Sequence, residues 1–134
     1  MSAEPEYLLG LFILEQRSSP PVSSGRLARF LDRSPAAATE MIQRLEAKGV
    51  VEREAYEGAA LTASGRDRAE KLHRTYVALS WFFRAVLDLD DHEAEAMRMA
   101  GLVSPPVADR LVETLIATDG DRGEISGLRS DGSN

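Results

Sequence analysis

Ser34, Thr39, Glu40, Gln43 and Arg44 are spaced so that a single helix would carry them on one side. They belong to the stretch from Ser34 to Val51, Ser-Pro-Ala-Ala-Ala-Thr-Glu-Met-Ile-Gln-Arg-Leu-Glu-Ala-Lys-Gly-Val-Val. A hydroxyl, a carboxylate and a carboxamide one and three residues apart can hydrogen-bond the edges of nucleic-acid bases. Thr39, Glu40 and Gln43 are therefore base-edge candidates, with Glu40 suited to accept from a cytosine amino group. Ala36 and Ala37 are small enough to pack on thymine methyls. Ser34, Pro35 and the unpaired N–H groups at the helix start would meet phosphate or base edges. The same residues also suit an ordinary solvent-facing helix, so their neighbours must decide.

The helix itself is well marked. Ser34 is a favourable N-cap, Pro35 suits the first helical position, and Gly49 is the expected stop. Ala38, Met41, Ile42 and Leu45 recur at three- and four-residue spacing and give one core stripe. Before it, Ser23 or Ser24 caps a helix over Gly25–Leu31, with Leu27, Ala28 and Leu31 facing the core. The turn Asp32-Arg33-Ser34 has the length a helix-turn-helix uses. Arg26, Arg33 and Arg44 then become phosphate clamps around a recognition helix.

Upstream, Glu6–Glu15 reads as a helix that is apolar on most sides, through Leu8, Leu9, Leu11, Phe12 and Ile13. Gln16–Val22 is a loop, with Val22 able to pair as a short strand. Downstream, Val50–Tyr56 is rich in strand formers. Glu57-Gly58 makes the turn and Ala59–Leu61 returns, forming a wing. Arg53 and Gly58 would reach the neighbouring backbone or minor groove. Thr62 caps a long helix over Ala63–Leu87, whose Ala69, Leu72, Tyr76, Leu79, Phe83 and Val86 form a heptad-like seam. Val77, Trp81, Phe82 and Ala85 form a second apolar face, which needs a second partner: another subunit or the next helices. Asp90 caps a short helix over His92–Gly101. Ser104-Pro105 opens a last helix to about Ala117, with Val107, Leu111, Val112, Leu115 and Ile116 on one face. Residues 118–134 read as a mobile tail.

Composition bounds the alternatives. The chain has 134 residues, no Cys and a net charge of −6. Thiolate metal sites and disulfides are excluded. There is no Ser-His-Asp order with workable spacing, no Gly-rich phosphate loop and no HExxH, so an enzyme is not expected. No signal peptide or membrane span is evident, and a cytoplasmic location is expected. Along the chain, residues 17–74 carry 11 Lys/Arg against 8 Asp/Glu, whereas residues 75–134 carry 5 against 11. The basic segment thus coincides with the candidate reading unit. Two lysines against fourteen arginines, on an acidic chain, suggest a protein suited to molar salt, as in a halophile. At ~1 M salt the screening length is only ~3 Å, so distant acids would hardly repel DNA.

The order helix-turn-helix, wing, then Leu61-Thr62-Ala63-Ser64-Gly65-Arg66 opening a long helix resembles the metal-dependent repressors of the diphtheria toxin repressor and manganese transport regulator family. Asp88-Leu89-Asp90 and Ser104–Leu115 resemble that family's junction and dimerisation helices. The resemblance covers about residues 6–117 and the short, two-domain members. It implies a mainly α fold: a winged helix-turn-helix domain over 1–64, a linker helix and helical dimerisation domain over 65–117, and the tail over 118–134. It also implies a transcription regulator that binds double-stranded DNA as a homodimer, or as a heterodimer with a related regulator. Val77, Trp81, Phe82, Val107, Leu111 and Leu115 would form the dimer contact. Fe²⁺ or Mn²⁺ would be the cofactor. Glu6 stands where the family's first-helix ligand falls, but Ala100-Gly101 occupies the position of its Glu-His ligand pair. Thr75 falls near the position of its long-helix histidine. His73 and His92 are the remaining candidates. The expectation is a regulator whose own metal sensing is lost or altered. The alternative is a winged-helix adaptor that pairs with a metal-binding paralogue and does not read DNA, motivated by Glu40, Glu52, Glu54 and Glu57 near the expected DNA face.

Overall fold

In the computed structural model, residues 3–54 and 57–122 are described. Six helices and one two-stranded sheet run in the order α1 (Glu4–Arg17), α2 (Ser24–Leu31), α3 (Pro35–Ala47), β1 (Val51–Glu54), β2 (Gly58–Leu61), α4 (Ala63–Ala85), α5 (His92–Met99) and α6 (Pro105–Arg122). A single 3₁₀ turn, Ala100–Leu102, follows α5. Two compact units meet at Lys71 and Leu72, so α4 begins in the first and continues in the second.

The first unit is built on α1. Leu8, Leu9 and Leu11 are fully buried, and Tyr7 and Leu14 nearly so. Leu27 and Ala28 of α2, and Ala38, Ile42 and Leu45 of α3, complete the core. The α2–α3 turn needs a left-handed residue at Asp32, φ 56°, which a short polar side chain tolerates better than a branched one. Strands β1 and β2 are antiparallel, with Val51 opposite Leu61 and Glu54 opposite Gly58. Val22 bridges to Ala59 on the free edge of β2, through N–H···O bonds of 2.8 Å in both directions. That approach excludes any side chain at Gly58: a Cβ there would lie 2.2 Å from the Val22 carbonyl oxygen.

A second close approach fixes the start of α4. A Cβ on Gly65 would fall 1.9 Å from the carbonyl oxygen of Val50, so α4 lies directly on the chain leaving α3. Thr62 organises this junction. Its hydroxyl donates to the Gly49 carbonyl at 2.7 Å and accepts from the Gly65 N–H at 3.1 Å. The end of the third helix and the first turn of the fourth are thereby tied to one side chain.

In the second unit, Ala78, Trp81 and Leu115 form a buried cluster, with Val77, Phe82, Leu111 and Val112 packed around it. The expectation of a second subunit on this face therefore changes for Trp81 and Leu115. They are 7% and 0% exposed within the single chain, because α6 covers that side of α4. Val107, by contrast, is 52% exposed.

Three boundaries also differ from expectation. Helix α4 ends at Ala85, and Asp88 turns left-handed at φ 57°. Asp91, not Asp90, takes the N-cap position of α5, and its side chain makes no capping bond. Helix α6 runs on to Arg122, five residues into the segment expected to be a tail. Once Leu111, Val112 and Leu115 anchor a helix, each further residue needs only one more backbone bond to propagate it. The rest of that segment, 123–134, lies outside the described residues, as do Ala55 and Tyr56 of the wing.

Candidate nucleic-acid interface

The cap of α3 forms as its sequence requires. The Ala37 N–H donates to Ser34 Oγ at 3.1 Å, satisfying one of the unpaired donors of the first turn. Beyond it, Pro35, Ala36, Thr39, Glu40, Gln43 and Arg44 are exposed, whereas Ala38, Met41, Ile42 and Leu45 are buried. Ala37 is half-buried. The outer face of α3 thus leads with methyl groups and continues with hydroxyl, carboxylate and carboxamide.

On one side, this face opens on a groove of about 600 Å³ lined by Ser23, Ser24, Thr39, Ile42, Glu46, Arg53, Glu54, Glu57 and Gly58. The groove runs between the start of α2, the flank of α3 and the wing. Arg53 lines it, donating from Nε to Glu46 Oε1 at 2.9 Å. That ion pair ties the wing to the third helix. Around the groove mouth Glu54 and Glu57 are exposed.

The arginines expected as phosphate clamps differ in their freedom. Arg44 is exposed and has no ion pair among the described residues. Arg26 is held by the Ser18 hydroxyl, a neutral partner. Arg33 is engaged at both nitrogens: Nη2 with Glu6 Oε1 at 2.8 Å and Nη1 with the Leu31 carbonyl at 3.2 Å. Tyr7 feels this pair. Burial pushes its hydroxyl above the usual tyrosine range, Arg33 pulls the other way, and Glu6 adds a smaller upward push.

Charge counted along the chain misrepresents this unit. The three acids of residues 1–16 each return to a cation of the basic segment: Glu4 to Lys48 at 2.8 Å, Glu6 to Arg33 at 2.8 Å and Glu15 to Arg66 at 3.1 Å. Residues 1–71 together carry 10 Lys/Arg and 11 Asp/Glu. The surplus expected for residues 17–74 is cancelled in space by α1.

Residues 1–59 match the family model described as the iron dependent repressor, N-terminal DNA binding domain. Residues 1–59 thus resemble the DNA-binding domain of iron dependent repressors. It is 29% identical over 108 residues to an uncharacterized HTH-type transcriptional regulator of Methanocaldococcus jannaschii, covering 79% of this chain and 86% of the relative. A manganese-dependent transcriptional repressor solved in complex with manganese is 27% identical, with a TM-score of 0.74 over 84% of this chain and 52% of that one. The manganese regulator SloR shares the fold, with a TM-score of 0.73 at 24% identity over 87% of this chain and 55% of that one. The chain therefore spans about half the length of these solved structures. These relatives carry the names of transcriptional regulators and a repressor, not of enzymes.

The metal candidates of this chain are otherwise engaged. Glu6 is paired with Arg33. His92 Nδ1 lies 2.8 Å from Ser80 Oγ, and the His73 ring lies 5.8 Å from that of Tyr76, tilted by 40°, with its pKa lowered by burial. Ala100 is buried and Gly101 exposed, and neither side chain offers a ligand. Among the described residues, no group of three or more His, Asp or Glu could hold a metal ion. Among the described residues these positions do not bring together the several oxygen or imidazole donors that an Fe²⁺ or Mn²⁺ ion takes at once.

Sequence reasoning missed Glu15. Its carboxylate is 2% exposed and accepts the Leu61 N–H at 2.8 Å, holding the return strand of the wing against α1. The signal was available: one acid near the end of an otherwise apolar helix, where an unpaired charge would be costly. It also missed Lys48, whose Nζ reaches both oxygens of Glu4 at 2.8 and 2.9 Å.

Proposed function

We propose that this chain is a DNA-binding transcriptional regulator that reads operator DNA as a dimer through α3. The observation that carries the reading is the outer face of that helix: a Ser34-capped start, two exposed or half-exposed alanines, then Thr39, Glu40 and Gln43 free for base edges. Arg26, Arg44 and the helix N-terminus supply phosphate contacts, and the wing around Arg53 and Gly58 lies beside them. Dimerisation would use the second unit. All the exposed large apolar side chains of the described residues lie between Val86 and Ile116, including Leu87, Leu102 and Val107. Val77, Phe82 and Leu111 border the same region from the partly buried side. Such a concentration of apolar surface is typical of an interface. A cytoplasmic location goes with this role.

Metal control, in this reading, is lost or rebuilt. Glu6 is committed to Arg33 and no ligand side chain stands at Ala100 or Gly101. Titration of the apo-protein with Mn²⁺ and Fe²⁺ by calorimetry should show no tight stoichiometric binding. A gel-shift series on genomic fragments at several salt concentrations tests the DNA role. Specific binding should weaken with log K falling about 0.9 per phosphate contact in log salt. Absence of salt-dependent binding to any fragment would point instead to an adaptor that keeps the fold without reading DNA.

A further inference from the structure

We propose that Glu6 and Glu46 are specificity-determining counter-ions, which hold Arg33 and Arg53 away from DNA phosphate unless the fitted face of α3 is engaged. This rests on the DNA-reading role proposed above. Both arginines flank that face. Arg33 directly precedes the Ser34 cap, and Arg53 lies on the wing side of the groove. Each is occupied by a carboxylate from another element, at 2.8 and 2.9 Å. The Glu6 side chain is only 18% exposed, so its pair is better shielded from salt than an ordinary surface bridge. Arg33 is further fixed by the Leu31 carbonyl.

A phosphate that uses either arginine must share the guanidinium with its carboxylate or displace it, and the carboxylate charge opposes the approach. On random DNA the phosphate contact is the only gain set against the weakened pair, so these cations contribute less than free ones. On a sequence that fits Ala36, Thr39 and Gln43, the base contacts offset the exchange. The device therefore suppresses sequence-independent affinity, the term that grows with each free cation. It also bears on how a unit with 10 Lys/Arg and 11 Asp/Glu can bind DNA selectively: half of those cations are in ion pairs, and among the described residues Arg44, on α3 itself, is in none.

The test uses the full chain with Glu6→Gln, Glu46→Gln and the double variant. Two duplexes serve as probes, one of random sequence and one selected by the wild-type protein from a randomised pool. Each freed arginine should steepen the slope of log K against log salt on random DNA by about 0.9 per bound subunit, so about 1.8 for the double variant. Between about 50 and about 200 mM salt its loss of affinity should exceed that of the wild type about tenfold per bound subunit. Discrimination between the two duplexes should fall. Adding Arg33→Gln to Glu6→Gln should restore the wild-type slope, which a merely structural role of Glu6 would not do. Unchanged slopes with binding intact would overturn the proposal. So would loss of affinity for the selected duplex without a change in slope, which would make the pairs helix-positioning contacts. If the wild type binds neither duplex at any salt, the DNA-reading role itself falls and this inference with it.

Discussion

Replacing Glu15 by Ala should destabilise the first unit by about 2–3 kcal/mol. The Leu61 N–H would lose its only acceptor in a buried setting, which costs about 1–3 kcal/mol. Removal of the buried Cγ methylene adds about 0.8 kcal/mol. Loss of the Arg66 pair contributes little, since that side chain is 41% exposed and returns to water. A partial offset comes from Oε1, which makes no hydrogen bond although it is buried and 3.1 Å from Arg66. Deleting it relieves a desolvation cost. Glu15→Gln keeps an acceptor for Leu61 and should cost only about 1 kcal/mol. Urea unfolding followed by circular dichroism gives both values. Amide exchange at Leu61 should accelerate in the alanine variant and much less in the glutamine one. The reasoning would be refuted if Glu15→Ala lay within about 0.5 kcal/mol of wild type, the range of a neutral surface change. Equal losses for Ala and Gln would also refute it, because the hydrogen bond to the wing would then carry none of the effect.

Other expectations follow from the same geometry. Gly58→Ala should open the Val22–Ala59 bridge, because the new Cβ meets the Val22 carbonyl; loss of amide protection at Val22 and Ala59, with stability lowered by more than ~1 kcal/mol, would confirm it. Ser34→Ala removes the cap bond of α3 and should cost about 1 kcal/mol in thermal or urea unfolding. His73 has a folded pKa depressed by burial, so the unfolded chain binds more protons just below the ordinary histidine value of about 6.5. Stability should therefore decline as pH falls below that value, and His73→Phe should flatten that limb of the pH–stability curve.

Local signals make the helix-turn-helix legible in the sequence. The Ser34 cap, Pro35 and Gly49 are effects within a few residues of each other, as are the Ser23 cap and the three-residue turn through Arg33. Even the Val22 bridge was readable, because a β-branched residue between polar loops has few other uses. Charge behaved differently. Glu4 pairs with Lys48 across 44 positions and Glu6 with Arg33 across 27, so a running sum along the chain assigned a positive surplus to a unit that has none. Trp81 and Leu115 likewise read as a face in need of a partner. Periodicity shows that a face is apolar but not which element covers it, and α6 does so for those two. The Asp90 cap failed because an acid at a helix start is compatible with several neighbouring positions, and the chain settled on Asp91 without a side-chain bond.

The central claim is that the outer face of α3 reads base sequence. Its most direct test is the ratio of affinities for the selected and random duplexes, measured by fluorescence anisotropy for wild type and Gln43→Ala. Gln43→Ala should change sequence preference, lowering the ratio through weaker binding to the selected duplex, by about 1–3 kcal/mol if Gln43 makes a bidentate base contact. Random-duplex affinity should stay the same. Equal losses on both duplexes, or no loss on either, would contradict the claim.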